Sequence, residues 1–138
     1  MSKKRVTKSS KAKVTIPGDL DNFPERHEVD AAWILARHYD CEVSFLKATD
    51  SYKIKSPDIS INQIPWEIKS PQGKSKYTVR RQLGRASKQS KYIVFDGRRT
   101  SLPDNVLVSR IRDEWKERRS IKRIIFINKS AEVLEILR

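Results

Sequence analysis

The sequence predicts a mixed fold of the α/β (α+β) class, with a central mixed sheet and helices packed against it. Three observations predict it. Short apolar segments that alternate with period two, or run continuously apolar, are interleaved with stretches of helical period. Their order is helix, strand, strand, strand, helix, strand, then a further helix and strands, which suits a sheet covered by helices. The chain has 138 residues, 37% hydrophobic and 34% charged, which suits one domain with a core that needs no staples.

Residues 1–13 hold Lys3, Lys4, Arg5, Lys8, Lys11 and Lys13 with no acid, and are expected to form a disordered basic arm before a single domain over 14–138. The arm serves either as a phosphate-binding tail or as a solubilising leader. Val14-Thr15-Ile16 reads as a short strand ended by Pro17-Gly18. A helix is predicted from about Pro24 to Tyr39, capped by Asp21 or Asn22, with Val29, Ala32, Trp33 and Ala36 as its core stripe. Glu28 lies at the edge of that stripe, in line with Ala32, Leu35 and Tyr39. It is either an inward acid that needs a partner or a first-turn acid favoured by the helix dipole. His27 and His38 read as surface residues.

Cys41 to Leu46 alternates as a strand, and residues 47–55 form a polar connection. Two short strands follow across Asn62-Gln63, with Ile61 and Ile64 flanking the turn. Pro65 cannot donate to a ladder, so the hairpin tip is loose there or that position faces an open edge. Ser70-Pro71-Gln72-Gly73 breaks the chain before a second helix, roughly Tyr77 to Ser90, with Val79, Leu83 and Ala86 on its core face. Lys91 to Asp96 is nearly continuous apolar strand, as expected for a sheet covered on both faces. Gly97-Arg98-Arg99 is a loop with two more cations. A third helix is predicted from Pro103 to about Arg118, with Val106, Ile111 and Trp115 buried, then a strand over Ile121 to Ile127. Residues Ala131 to Leu137 form either a hairpin with that strand or a short terminal helix.

The net charge of +13 and pI near 10.1 point to a polyanionic partner, nucleic acid before anionic membrane. No apolar run approaches membrane-spanning length, and the basic N-terminus lacks the apolar region of a secretory signal. The single Cys41 excludes an internal disulfide and a Cys-based zinc cluster, and fits a reducing compartment. With four glycines and no long Gly-rich phosphate loop, a nucleotide-hydrolysing fold is disfavoured. The aromatic pattern of an RNA-recognition domain is missing too.

Chemistry concentrates in the Asn62-Gln63 hairpin. If Ile61 pairs with Ile64, Asp58 falls opposite Glu67, and Glu67 and Lys69 share a face with Asp58 and Ser60. Two opposed carboxylates repel, and a divalent cation between them resolves the cost. The alternative is a turn-capping Asp58 beside a solvated strand face. From Lys74 to Lys91 seven cations (Lys74, Lys76, Arg80, Arg81, Arg85, Lys88, Lys91) occur with no acid. Arg81, Arg85 and Lys88 cluster on one helix face, where uncompensated like charges cost stability unless phosphate meets them. Gln82 and Gln89 either reach a substrate or border the core.

The first four strands and two helices of this reading, with Pro57-Asp58 on one strand and Glu67-Ile68-Lys69 on the next, resemble the αβββαβ core and motif of the PD-(D/E)xK nuclease superfamily. The runs Val43-Ser44-Phe45-Leu46, Ser56-Pro57-Asp58-Ile59, Trp66 to Gly73, Ala86 to Ser90 and Ile93 to Asp96, behind a helix headed by Glu28, resemble the C-terminal tRNase domain of contact-dependent growth inhibition toxins. The resemblance implies a metal-dependent endonuclease that cleaves tRNA. Its catalytic residues are Glu28, Asp58, Glu67 and Lys69. One or two Mg2+ (or Mn2+) ions are held by Asp58, Glu67 and the Ile68 carbonyl, with Glu28 as a further candidate. Lys74, Arg80, Arg81, Arg85, Lys88, Gln89 and Lys91 contact the nucleic acid. It also implies a cognate immunity protein and action in the cytoplasm, delivery within a larger toxin remaining open. This chain differs in carrying its own methionine and basic arm in place of a delivery region. A DNA endonuclease of the same superfamily and a non-catalytic RNA-binding protein are the competing expectations.

Overall fold

A computed structural model describes residues 10–20, 23–47 and 57–138. Its elements are β1 (Lys13–Thr15), α1 (Arg26–Tyr39), β2 (Glu42–Phe45), β3 (Ile59–Ile61), β4 (Ile64–Lys69), α2 (Thr78–Ala86), β5 (Tyr92–Asp96), α3 (Asp104–Lys116), β6 (Arg123–Ile127) and β7 (Val133–Ile136). The seven strands form one sheet in sequence order, β1 to β7. Pairs β1–β2, β4–β5 and β5–β6 are parallel, while β2–β3, β3–β4 and β6–β7 are antiparallel. Each parallel pair is bridged by one helix, as a parallel connection requires. The mixed sheet with flanking helices is the predicted class.

The helices divide between the two faces. Ala31, Ala32, Leu35 and Ala36 of α1 pack with Val43, Phe45, Ile59, Ile61, Trp66 and Ile68. Val79, Leu83 and Ala86 of α2 and Leu107, Ile111 and Trp115 of α3 pack with Ile93, Phe95, Ile124 and Phe126 on the other. Strand β5 gives Val94 to the first cluster and Ile93 and Phe95 to the second, which is why its sequence is continuously apolar. Gly97 follows β5 at a point of close approach: a Cβ there would meet Phe126 at 2.8 Å and Leu107 at 2.9 Å. Glycine is therefore required by space rather than by backbone angle.

Several expectations are corrected in detail. Helix α1 starts at Arg26 with Glu25 as N-cap, and a capping box joins Glu25 and Glu28. Asp21 and Asn22, the expected caps, lie outside the described residues, as do residues 1–9 of the basic arm and 48–56 of the polar connection. Lys13 already belongs to β1, and the Lys11 amide donates to Asp40 at 2.9 Å. In α1 the fully buried residues include Ala31 and Leu35, whereas Trp33 is half-buried beneath Arg37 at 5.1 Å. Helix α2 ends at Ala86, and in α3 Leu107 rather than Val106 is fully buried. The 131–137 segment is a hairpin strand, with Ile127 paired to Val133. Among the described residues no helix is long and apolar enough to cross a membrane.

The hairpin forms as predicted. Asn62 and Gln63 both take left-handed conformations (φ 50° and 72°), which suits a two-residue turn matched to strand twist, and Ile61 pairs with Ile64. Ser60 opposite Pro65 is then the pair without mutual hydrogen bonds, so the proline nitrogen faces away from β3. Pairing with β5 begins only at Glu67, which leaves Pro65 at an open edge.

Candidate active site

The carboxylate pair is assembled by a break in the hairpin ladder. The register pairs Trp66 with Ile59, yet the Asp58 amide also points at the Trp66 carbonyl, at 3.1 Å. Two residues of one strand thus oppose one of the other, the mark of a β-bulge. Simple alternation, with Asp58 in a regular pair with Glu67, does not describe this point. The bulge re-aims Asp58, whose Oδ2 accepts a hydrogen bond from the Ile68 amide at 3.0 Å. The side chain thereby stands in for a backbone partner of β4.

Glu67, in the middle of β4, is 2% exposed. Its Oε2 lies 3.2 Å from Lys69 Nζ, while its buried Oε1 has no hydrogen-bond partner. Burial, then the neighbouring Asp58 charge, pushes the Glu67 carboxyl up to about 7, with Lys69 opposing the rise. Burial also raises Asp58, against the Ile68 amide, the Glu67 hydrogen bond and Lys69; the charge of Glu28 adds to the rise. Of the two carboxyls, Glu67 is the one that burial and its neighbour hold protonated toward neutral pH.

A testable consequence concerns pH. Between about 4.5, where an ordinary glutamate ionises, and about 7, the folded protein holds a proton that the unfolded chain has lost. Without divalent cations, stability should therefore fall as pH rises through that window, by up to about 3 kcal/mol. Urea denaturation across the window, compared with Glu67→Gln, measures it; the variant should lack this component.

Glu28 occupies the first turn of α1, half-buried and in line with the buried Ala32 and Leu35. Its Oε1 accepts from the Glu25 amide at 2.8 Å, so it serves the helix start, and its negative charge raises the Asp58 carboxyl. Among the described residues no group of three or more His, Cys, Asp or Glu gathers tightly enough to hold a metal ion alone. Asp58 and Glu67 are the neighbouring carboxylates that could share a cation with water and substrate oxygens. That set suits Mg2+, which keeps several waters and binds through one or two carboxylates plus substrate phosphate. The orphaned Glu67 Oε1 is a ready oxygen donor.

Around this pair runs a polar frame that the sequence reading missed. Asp96, ending β5 with 0% exposure, is gripped by Arg98: Nε to Oδ1 at 2.9 Å, Nη2 to Oδ2 at 2.8 Å, and the Arg98 amide to Oδ1 at 3.1 Å. Arg98 Nη2 also donates to the His27 carbonyl at 2.9 Å. Arg99 Nη1 donates to the Ser70 carbonyl at 3.1 Å and meets His27 Nε2 at 2.7 Å. A guanidinium only donates, so His27 Nε2 accepts and the ring proton sits on Nδ1, facing Glu25 at 3.4 Å. His27, expected at the surface, is instead half-buried; His38 is exposed as expected. The frame ties the residue before Glu28 to the residue after Lys69. Its signal in the sequence was an acid closing an apolar strand two residues before an arginine.

The basic residues of α2 and its flanks are exposed: Lys74, Arg80, Arg81, Arg85, Lys88 and Lys91. One is compensated from outside the stretch, Arg80 lying 3.8 Å from Glu114 of α3. Gln89 is half-buried, and its Oε1 has no partner.

The bulged carboxylate pair, its lysine and the α/β/α layering define a sheet protein with a buried acidic site on its β3–β4 hairpin. The family described as "Contact-dependent growth inhibition CdiA C-terminal domain" matches residues 55–133. The chain belongs to that family, and the matched segment contains Asp58, Glu67, Lys69, the Asp96–Arg98 pair and α2. A solved structure, "CdiA-CT/CdiI toxin and immunity complex from Burkholderia pseudomallei", is similar in fold, with TM-score 0.59 and 14% identity over 90% of this chain and 99% of that one. No curated protein matches.

Proposed function

We propose that this domain is a growth-inhibition toxin acting as a metal-dependent endoribonuclease of the PD-(D/E)xK kind, with tRNA as substrate. The observation that carries the reading is the buried Glu67 beside the half-buried Asp58, with an unpartnered Glu67 oxygen and Lys69 at 3.2 Å. Holding two carboxylates together at a buried position is costly for a structural role and suited to a cation site. Asp58 and Glu67, with the Ile68 carbonyl, would hold one or two Mg2+ or Mn2+ ions, which when bound would supply an acidified water and charge to offset that of the scissile phosphate. Lys69 directs its hydrogen bonds at the attacking water or at the developing oxyanion. Glu28, fixed through the capping box, holds the water shell and biases Asp58. Lys74, Arg80, Arg81, Arg85, Lys88, Gln89 and Lys91 dock the substrate backbone, positioning it more than reading it.

Family membership supports a toxin role, with delivery inside a larger protein and action in a cytoplasm that contains tRNA. The Burkholderia neighbour was solved with an immunity protein, which supports a cognate immunity partner here. The test is incubation with total tRNA, ribosomal RNA and plasmid DNA, with Mg2+ and with EDTA. Mg2+-dependent cleavage of tRNA is expected. Cleavage of DNA alone would make it a DNA endonuclease, and RNA binding without cleavage would make it a non-catalytic module.

A further inference from the structure

We infer that a groove between α2 and the turn after α3 binds a single strand of RNA, with Arg118 as a phosphate contact and Tyr77 as a platform for a base. The inference rests on the nuclease reading for its choice of RNA. The groove, of about 560 Å³, is lined by Arg81, Arg85 and Lys88 along α2, by Arg118 across from them, and by Tyr77 and Gly84. Arg118 lies far outside the basic run of α2 in sequence and is brought there by the packing of α3 on α2. Gly84 shapes the place it occupies: a Cβ on that residue would stand 3.3 Å from Arg118 Nη2. The guanidinium thus packs closely over the helix at Gly84, where a methyl group would make it shift by a few tenths of an ångström.

The guanidinium is also underused. Its Nη2 reaches the Arg80 carbonyl at 3.4 Å, and its buried Nε has no partner. Among the described residues no carboxylate pairs with Arg81, Arg85, Lys88 or Arg118. Five cations line the groove, and of these only Arg80 meets a carboxylate, Glu114 at 3.8 Å; the repulsion among the other four is one that a polyanion relieves. Tyr77 separates RNA from an acidic protein surface as the occupant. Tyr77 is 51% exposed, and Lys76 lies 5.2 Å from its ring centroid. An exposed aromatic beside a cation row is the arrangement that stacks bases while tracking a single-strand backbone.

The test is fluorescence anisotropy with a short labelled single-stranded RNA in EDTA, so that cleavage plays no part. Tyr77→Leu should weaken binding about tenfold. Arg118→Gln should weaken it and lower the salt slope by about 0.7, one phosphate contact. Gly84→Ala removes no charge and improves helix propensity, and its methyl shifts Arg118 only by a few tenths of an ångström, so a loss of affinity smaller than that of Arg118→Gln is expected and reports the position of Arg118 rather than net charge or unfolding. Arg112→Gln, outside the groove, should change little. Full affinity in Arg118→Gln and Tyr77→Leu would overturn the inference, as would competition by polyglutamate as effective as unlabelled RNA. The nuclease reading stands or falls separately, on Mg2+-dependent cleavage.

Discussion

Asp58→Asn is expected to abolish cleavage and, in the absence of metal, to make the protein more stable. The amide keeps the size of the carboxylate and an oxygen able to accept from the Ile68 amide, so the bulged hairpin is retained. It removes a charge that burial and Glu28 disfavour and that itself pushes Glu67 upward. Stability near neutral pH should rise by about 1–2 kcal/mol. Activity should fall by about 10³-fold or more, since the pair would no longer present two anionic oxygens to a cation. The opposite signs separate a functional acid from a structural one. Lys69→Ala should lose activity to a similar extent but without the stability gain, because it leaves Glu67 without the cation at 3.2 Å. Cleavage rates and urea midpoints on the same preparations decide the matter. Undiminished cleavage by Asp58→Asn would remove the proposed site.

The largest effect on stability is expected from Arg98→Ala, at about 3–5 kcal/mol, because it strands the buried Asp96 carboxylate. Arg98→Lys should recover little. A lysine cannot supply the fork that meets both Asp96 oxygens while a third bond goes to the His27 carbonyl. Adding Asp96→Asn to Arg98→Ala should restore a substantial part of the loss, since the charge left behind is then gone. Urea denaturation of the single and double variants measures these differences. A loss below about 1 kcal/mol for Arg98→Ala would show that the pair is no more than a surface ion pair.

Much of the scaffold was legible because local chemistry and tertiary packing agree. Asn62-Gln63 supplies residues that tolerate left-handed angles between two isoleucines, and the turn follows. The apolar run over β5 shows a strand covered on both faces, which α1 on one side and α2 with α3 on the other provide. Glu28 stood in line with Ala32 and Leu35, and its charge acts on Asp58. What remained hidden depended on irregularity or distance. Alternation assumes an unbroken ladder, so it brought Asp58 and Glu67 together without foreseeing the bulge that orients Asp58. His27 meets Arg99 across 72 residues and Arg118 meets Arg80 across 38, contacts that no local period announces. Arg98 looked like one more loop cation because its partner, Asp96, is identified only by its complete burial.

The central claim is that Asp58 and Glu67 together hold a divalent cation. Calorimetric titration of the protein with Mg2+, in buffers of different ionisation enthalpy, tests it most directly. Wild type should bind Mg2+ with release of close to one proton at about pH 6 and almost none at about pH 8.5, because Glu67, pushed up to about 7, must ionise to bind. The Asp58→Asn/Glu67→Gln double variant should lose both the binding and the proton release. Undiminished Mg2+ binding by the double variant, or wild-type binding with no proton release at the lower pH, would contradict the account.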